Sequence, residues 1–452
     1  MGNLLSLCMK SDIVILNKIV DKIEDKVVTD YLNNLWSSEN ENPRVLNNLI
    51  DKSEDKIVKE INKEELEKFK DLIKDKFTAL RMIGNFNYDN KLEKEVRLKK
   101  NELSDSDILL SYKAYDDLNK YNQINNEVMN KINTVQVTLK IKDKTKDSMD
   151  INNYRFIQLH SKSIKLIDRL WCYKVMNLIK SLDTHIFKSN LVRDIDGTTC
   201  MPIIETANNN TLSRTNVVLI DITKAFDSCE FDVIEILLYK SLARKMDKDS
   251  AKVLTAQYMF VTKQREIYYG KYKINFKKGL PTGLPSSNII FNLLMDEIIY
   301  EWLTDNSFKI DKDFILNIYV DDIYLKLINV EMKVPIISTL IDKIKKYKFN
   351  INYEKCKADE NLKLTEFFEK FQILKETDLY LGIPFTRDFK IYTGLVLNNY
   401  NKNNYTNYTY KDLYKKLIDK DIDAKNIYGY FNYKLHPLMN GITFLIFCEK
   451  LI

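Results

Sequence analysis

The sequence predicts an α+β fold, and three stretches carry that prediction. Val217-Val218-Leu219-Ile220 is a short β-branched run that ends at Asp221 and reads as a buried strand; Ile234, Ile236, Leu237 and Leu238 mark a helix after it. Gly279-Leu280-Pro281-Thr282-Gly283-Leu284-Pro285 is a dense cluster of breakers in a chain with only ten Gly and seven Pro. Ser286-Ser287 and a long apolar helix through Trp302 follow it. Finally, residues Phe314 to Leu327 hold two apolar runs around a polar pair, Asp321-Asp322, which suggests a hairpin. The order strand, helix, loop-helix, hairpin is not a βαβ repeat, so helices and strands are segregated.

The remaining elements are read in chain order. Residues 1 to about 130 are helical in pattern and highly charged, with Ile23, Val27, Val28, Tyr31, Leu32 and Leu35 at helical spacing. Glu64 to Leu80 repeats the theme with Leu66, Phe69, Leu72, Ile73 and Phe77 on one face. The charged run Lys140 to Lys146 reads as a solvated loop or turn. Near the C-terminus, Tyr410 to Lys420 fits an amphipathic helix with Leu413, Leu417 and Ile418 turned inward. Tyr and Asn crowd residues 398–410; tyrosines can stack on bases, but 27 Tyr in the chain make compositional bias the plainer reading.

Composition narrows the function classes. With 452 residues, 45% hydrophobic and 30% charged, the chain can bury a large core, which excludes collagenous, mucin-like and wholly disordered proteins. The formal charge of +6 is a weak whole-molecule signal for nucleic acid, so a basic groove has to be local. Ten arginines stand among 70 basic residues, so positive charge is carried mostly by lysine. Six scattered cysteines and three histidines show no zinc or redox spacing, which predicts buried thiols in a reducing, intracellular (cytoplasmic) setting. No apolar stretch is long enough to span a bilayer. Met1-Gly2-Asn3-Leu4-Leu5-Ser6 matches the N-myristoylation pattern, with Cys8 as a second acylation position, so membrane contact through an acylated N-terminus is one reading and an ordinary frayed start the other.

The chemistry is concentrated in carboxylates at strand ends. Asp221 follows the β-branched run, and Asp321-Asp322 sits between Ile318-Tyr319-Val320 and Ile323-Tyr324-Leu325. A buried aspartate pair flanked by β-branched and aromatic residues is costly unless something neutralises it. Mg²⁺ does so with a few carboxylates and substrate phosphates, and two such ions can stabilise the attacking and leaving oxygens of a phosphoryl transfer. An Asp-capped tight turn is the alternative for the pair taken alone.

Read together, these pieces resemble the reverse transcriptases. VVLIDITKAFDS at 217–228 resembles the first palm motif of the non-LTR retrotransposon and group II intron enzymes. GLPTGLPSSNIIFN at 279–292 is similar to the second, and Tyr319-Val320-Asp321-Asp322 to the third. NINYEKCK at 350–357 resembles the fourth, and Leu379-Tyr380-Leu381-Gly382 the primer-grip turn. Lys140 and Asn153-Tyr154-Arg155 resemble the fingers strands that hold the triphosphate, so the likeness covers residues 135–390 in order.

The resemblance implies a right-hand polymerase with a helical N-terminal extension at 1–130, fingers at 131–214, palm at 215–385 (with a fingers segment at about 245–278) and a short thumb at 386–452. It implies metal binding by Asp221, Asp321, Asp322 and the main chain of Ile222, with two Mg²⁺ ions and Mn²⁺ as the substitute. Lys140 and Arg155 would clamp the triphosphate, with Lys142 competing for the first role, and Lys355 would stand near the pyrophosphate as a proton donor. Gly283 would let the chain approach nucleotide and template closely, with Ser287 and Asn292 on the template-facing helix and Tyr380, Leu381 and Gly382 at the primer.

Phe226 falls where the family places a ring beneath the sugar, which excludes a ribose 2′-hydroxyl and favours dNTPs; Asp227 follows one position later. Three departures mark this chain: Thr282 replaces the usual Gln and thereby puts the usual dNTP contact in doubt, while Asn288 and Phe156 each replace a usual Pro. They suggest a divergent, domesticated or defence-related lineage. The expected partners are RNA template, DNA product and dNTPs, with self-association open, and neither an RNase H domain nor an endonuclease constellation is visible. Template-independent or protein-primed DNA synthesis of abortive-infection type, RNA-dependent RNA synthesis and a catalytically silent RNA-binding scaffold are the alternatives to RNA-directed DNA synthesis.

Overall fold

The computed structural model describes residues 23–38, 64, 66–70, 104–142, 147–180, 215–362, 365–386, 388–404, 406–419, 427 and 431. Helix α1 (Asp25–Leu35) precedes α2 (Asp105–Tyr121) and α3 (Asn126–Ile132). Strands β1 (Thr134–Ile141) and β2 (Tyr154–Leu159) lead into α4 (Lys162–Lys180). Then come β3 (Val217–Asp221), α5 (Phe231–Ala243), α6 (Lys248–Lys263), β4 (Glu266–Tyr269), β5 (Tyr272–Ile274) and the long helix α7 (Ser286–Asn306). The hairpin β6 (Phe314–Tyr319) and β7 (Asp322–Leu327) is followed by α8 (Lys333–Lys346). Short strands β8 (Lys357–Ala358), β9 (Gln372–Ile373), β10 (Leu379–Tyr380) and β11 (Ile383–Pro384) precede α9 (Phe389–Asn404) and α10 (Tyr410–Ile418).

The strands form one sheet in the order β6-β7-β3-β8-β9 and another in the order β2-β1-β4-β5, with β10 and β11 paired separately. Alternation decides which face each strand buries. Val218 and Ile220 of β3 and Ile323 and Leu325 of β7 point into the main core, where α5, α7 and α8 pack. Val217 and Tyr324 line the opposite face with Tyr380 and Phe385. Helix α7 is buried on nearly every side, from Ile289 and Phe291 to Trp302. Its acidic pair Asp296 and Glu297 is tolerated there because Arg244 reaches both, at 2.9 and 2.7 Å, and Lys245 also contacts Asp296.

Helix α1 shares a core with the second sheet: Val28, Leu32 and Trp36 pack with Val137, Phe156, Ile267 and Ile274. Two residues placed inward by pattern turn outward. Val27 is exposed, since the buried stripe runs through Val28 and Leu32. Ile418 is 57% exposed, because it lies five residues, and so about 140° of helix rotation, from the fully buried Leu413. Tyr400 and Tyr410 pack with Phe431 in a C-terminal apolar cluster. Lys140, read as the start of a loop, is a residue of β1. No helix among the described residues is long and apolar enough to cross a membrane.

Candidate active site

The acidic centre is made by strand register. β3 and β7 run antiparallel with Asp221 directly opposite Asp322, and β6 places Tyr319 on the other side of Asp322. Like charges directly opposite across a ladder repel, so this pairing is unfavourable until a cation intervenes. Val320 and Asp321 form the two-residue turn between the strands. Val320 adopts φ +57°, a left-handed conformation rare for a β-branched side chain, and its burial in the main core holds it there.

Burial raises the Asp321 carboxyl above the ordinary range, and the Asp221 charge adds to this while Lys355 and Arg155 oppose it. Asp322 is pushed up to about 6, first by the protein wall around it and then by Asp321 and Asp221, although its outer surface stays exposed.

The segment after α8 is stitched to the end of β3. Ile222 bridges Ile351, Thr223 N donates to the Asn350 carbonyl at 2.8 Å, and Asn352 N donates to the Asp221 carbonyl at 2.9 Å. This brings Lys355 Nζ to 3.4 Å from Asp221 Oδ2, with the lysine 67% exposed and free to swing. Cys356 lies beneath, accepting from Asp221 N at 3.4 Å, its thiol pushed up to about 11 by burial.

A cleft of about 340 Å³ opens beside these groups, lined by Asp221, Asp322, Lys355, Lys357, Gln372 and Tyr380 among others. Lys357 and Gln372 were not singled out by sequence reading. Lys357 had a signal, the alternation with Lys355 along one extended segment, whereas Gln372 reaches the cleft only through the pairing of β9 with β8.

The turn Leu381-Gly382 has φ +51° and +75°, the two successive left-handed residues of a tight hairpin turn, and joins β10 to β11. Tyr380 anchors this hairpin under the acidic centre. Its hydroxyl donates to the carbonyls of Asp322 at 3.1 Å and Asn317 at 3.3 Å, and its ring packs on Tyr324 at 5.2 Å.

On the second sheet Lys140 is paired with Arg155 across β1 and β2, so both exposed side chains leave the same face. Arg155 is near enough for its charge to oppose the rise of the Asp321 carboxyl. Lys142 donates to the Asn152 carbonyl at 2.8 Å.

Residues 280–284 dock along β2: Gln158 N donates to the Thr282 carbonyl at 3.2 Å, and Thr282 Oγ1 donates to the Phe156 carbonyl at 2.9 Å. Gly283 sits at φ +99°, and a Cβ there would stand 2.5 Å from the Gln158 carbonyl oxygen. Its lack of a side chain thus serves the contact between loop and strand. Ser287 and Asn292, placed by sequence on a face toward template, have buried side chains. Ser287 Oγ donates to the Pro281 carbonyl at 2.6 Å, so it braces the loop. Helix α7 is enclosed on nearly every side, so even its polar positions near the N-terminus face protein.

Phe226 is half-buried in the loop after β3, its ring stacked on Phe291 of α7 at 5.2 Å and 26°. Asp227 Oδ1 accepts a hydrogen bond from Trp36 Nε1 at 2.9 Å. Among the described residues, no three His, Cys, Asp or Glu side chains converge as a ready-made metal cage. Gly2 and Cys8 lie outside the described residues.

A family model described as reverse transcriptase (RNA-dependent DNA polymerase) matches residues 141–385, more than half of the chain. The chain belongs to the reverse transcriptase family. It is thereby placed among the nucleotidyltransferases, and the family implies an RNA template, a DNA product and dNTP substrates. The match begins at the last residue of β1 and closes one residue past β11, so it takes in the whole five-stranded sheet, β2, β4 and β5 of the other, and every residue of the acidic centre. No curated protein matches this reverse transcriptase.

Proposed function

We propose that this reverse transcriptase adds dNTPs to a primer 3′-hydroxyl on an RNA template through Mg²⁺-dependent phosphoryl transfer, with a divergent, retroelement-derived or defence-type lineage. The observation that carries the reading is the Asp221–Asp322 cross-strand pair with Asp321 in the adjoining turn. A hydrated Mg²⁺ needs only one or two protein carboxylates when substrate phosphates complete its shell, so this arrangement fits the ion without a closed cage. Asp221, Asp321 and Asp322, with the main chain of Ile222, would hold two such ions, which when bound supply charge neutralisation at the phosphoryl group.

The chain's own residues do the rest. Lys140 and Arg155 offer paired positive charge to a triphosphate, and Lys355 can leave Asp221 to protonate the departing pyrophosphate. The hairpin at Tyr380, Leu381 and Gly382 supports the primer end. In this reading the five-stranded sheet is the palm, the four-stranded sheet the fingers, and α9 and α10 the thumb, in an intracellular enzyme.

Phe226, backed by Phe291, lies beneath the sugar and rejects a 2′-hydroxyl. Asp227 could otherwise accept a hydrogen bond from that hydroxyl, as an RNA polymerase requires, but its carboxylate is engaged by Trp36. Template-independent or protein-primed synthesis is the second reading. It is favoured by Thr282, whose hydroxyl is committed to the Phe156 carbonyl.

Primer extension on a primed RNA template, with dNTPs or NTPs and a no-template control, tests both. The expected result is Mg²⁺-dependent dNTP incorporation that needs template and is abolished by Asp321→Asn with Asp322→Asn. Equal use of NTPs would defeat the sugar-gate argument, and product formed without template would favour the second reading.

A further inference from the structure

Helix α1 and the residues after it grip the loop that carries Phe226. Lys224 Nζ donates to Tyr31 Oη at 2.7 Å, Trp36 Nε1 to Asp227 Oδ1 at 2.9 Å, and Ser38 Oγ to Glu230 Oε2 at 2.5 Å. The partners Lys224, Asp227 and Glu230 bracket Phe226 on both sides in a single tight loop. On its inner side the same loop is tied to the breaker segment. Leu280 N donates to the Phe226 carbonyl at 2.8 Å, and Gly279 N to the Cys229 carbonyl at 2.7 Å.

Trp36 is the rigid point of this grip. It is fully buried, with its ring edge-on to Phe276 at 5.2 Å and to Phe156 at 6.5 Å, and its carbonyl accepts from Lys277 N at 2.9 Å. An indole N–H held in this way cannot follow a moving acceptor. Burial pushes the Asp227 carboxyl above its ordinary range, and the indole hydrogen bond opposes that rise, so the carboxylate depends on this donor.

We infer that Trp36 is a positioning residue for sugar selection: by fixing Asp227 it sets the height of the adjacent Phe226 ring. The inference rests on the dNTP-polymerase reading above. Without the indole donor, a desolvated carboxylate has to swing outward to reach water, and Phe226 moves with it. The space beneath the sugar then admits a 2′-hydroxyl. The end of α1 thus contributes to substrate specificity through another residue, with no contact to the nucleotide.

The test uses the full chain carrying Trp36→Phe, which keeps an aromatic ring but removes the donor together with part of the buried indole, and separately Asp227→Ala, which removes the acceptor and leaves the Trp36 packing in place. The readout is the ratio of kcat/KM for dNTP over the matching NTP on a primed RNA template with Mg²⁺. Each variant should lower that ratio about tenfold, the equivalent of one lost charge-assisted hydrogen bond, and the double variant should lower it no further. A ratio within about twofold of the parent in both variants overturns the inference, as does an equal loss for dNTP and NTP, which marks a merely structural role.

Amide exchange provides a readout that needs no activity. Trp36→Phe should accelerate exchange at Gly279 and Leu280, whose N–H groups bond the gripped loop, and unchanged exchange there refutes the positioning role. If the parent enzyme uses no dNTP at all, the polymerase reading fails, and exchange alone decides whether Trp36 holds the loop.

Discussion

Replacing Gly283 by Ala should damage the fold as well as the activity. The added methyl would lie 2.5 Å from the Gln158 carbonyl oxygen, against about 3.3 Å for a close carbon–oxygen contact, so loop and strand must part by about 0.8 Å. That displacement strains both hydrogen bonds of the same contact, Gln158 N to the Thr282 carbonyl and Thr282 Oγ1 to the Phe156 carbonyl. Losing both costs about 1–3 kcal/mol, and holding a non-glycine residue at φ +99° adds about 1–2 kcal/mol, for a destabilisation of about 3 kcal/mol. Urea unfolding measures it, and amide exchange at Gln158 should accelerate in parallel. An unfolding free energy within about 0.5 kcal/mol of the parent, with Gln158 still protected and polymerisation lost, would refute this account. It would show that Gly283 is kept for substrate approach alone.

Other perturbations separate the remaining contributions. The raised carboxyls of Asp321 and Asp322 mean that their protonated forms favour the folded state; for Asp322 that contribution is complete below about pH 4 and lost as pH rises through about 6, and for Asp321 the direction is the same. Asp322→Asn should therefore raise the melting temperature at pH 7 and leave it nearly unchanged at pH 4, and a lower value at pH 7 would contradict the repulsion argument. Asp296→Ala strands the buried Lys245 and half of the Arg244 fork, and should cost about 3–5 kcal/mol in urea unfolding. Tyr380→Phe removes the hydroxyl that holds Asp322 and Asn317 and should cost about 1–2 kcal/mol, with a larger proportional loss in primer extension than in triphosphate binding.

The elements that were legible in advance are those whose own residues decide them. Val217–Asp221 could only be a buried strand, the breakers at 279–285 had to precede a helix, and the apolar runs around Asp321-Asp322 form the hairpin. Within the site, the aspartates stand out by residue type at strand ends, whereas Lys140 and Arg155 are linked only by the family resemblance, since Lys140 taken with its neighbours reads as a loop residue.

What stayed hidden depends on partners far along the chain. β4 joins β1 in parallel across more than a hundred residues, and β8 and β9 are two-residue strands with no pattern of their own. The polar side chains of Ser287 and Asn292 suggested an open face, yet both are buried because α7 is enclosed all round. Asp227 looked like a neighbour of the gate residue, and its acceptance of the indole proton could not be read without knowing where α1 docks.

That docking has a temporal side. Trp36 and Asp227 are 191 residues apart, and Ile267 and Ile274, which share a core with Trp36, lie further still along the chain. At about 5–20 residues per second, a ribosome needs roughly 10–40 s to supply the aspartate after the tryptophan has been made. An eleven-residue helix is marginal by itself, so Val28, Leu32 and Trp36 have to wait longer than that before the last of their partners exist. The apolar stripe of α1 and Trp36 is thus left uncovered during that part of synthesis, and a chaperone that shields it would raise the yield of active enzyme without touching the finished fold.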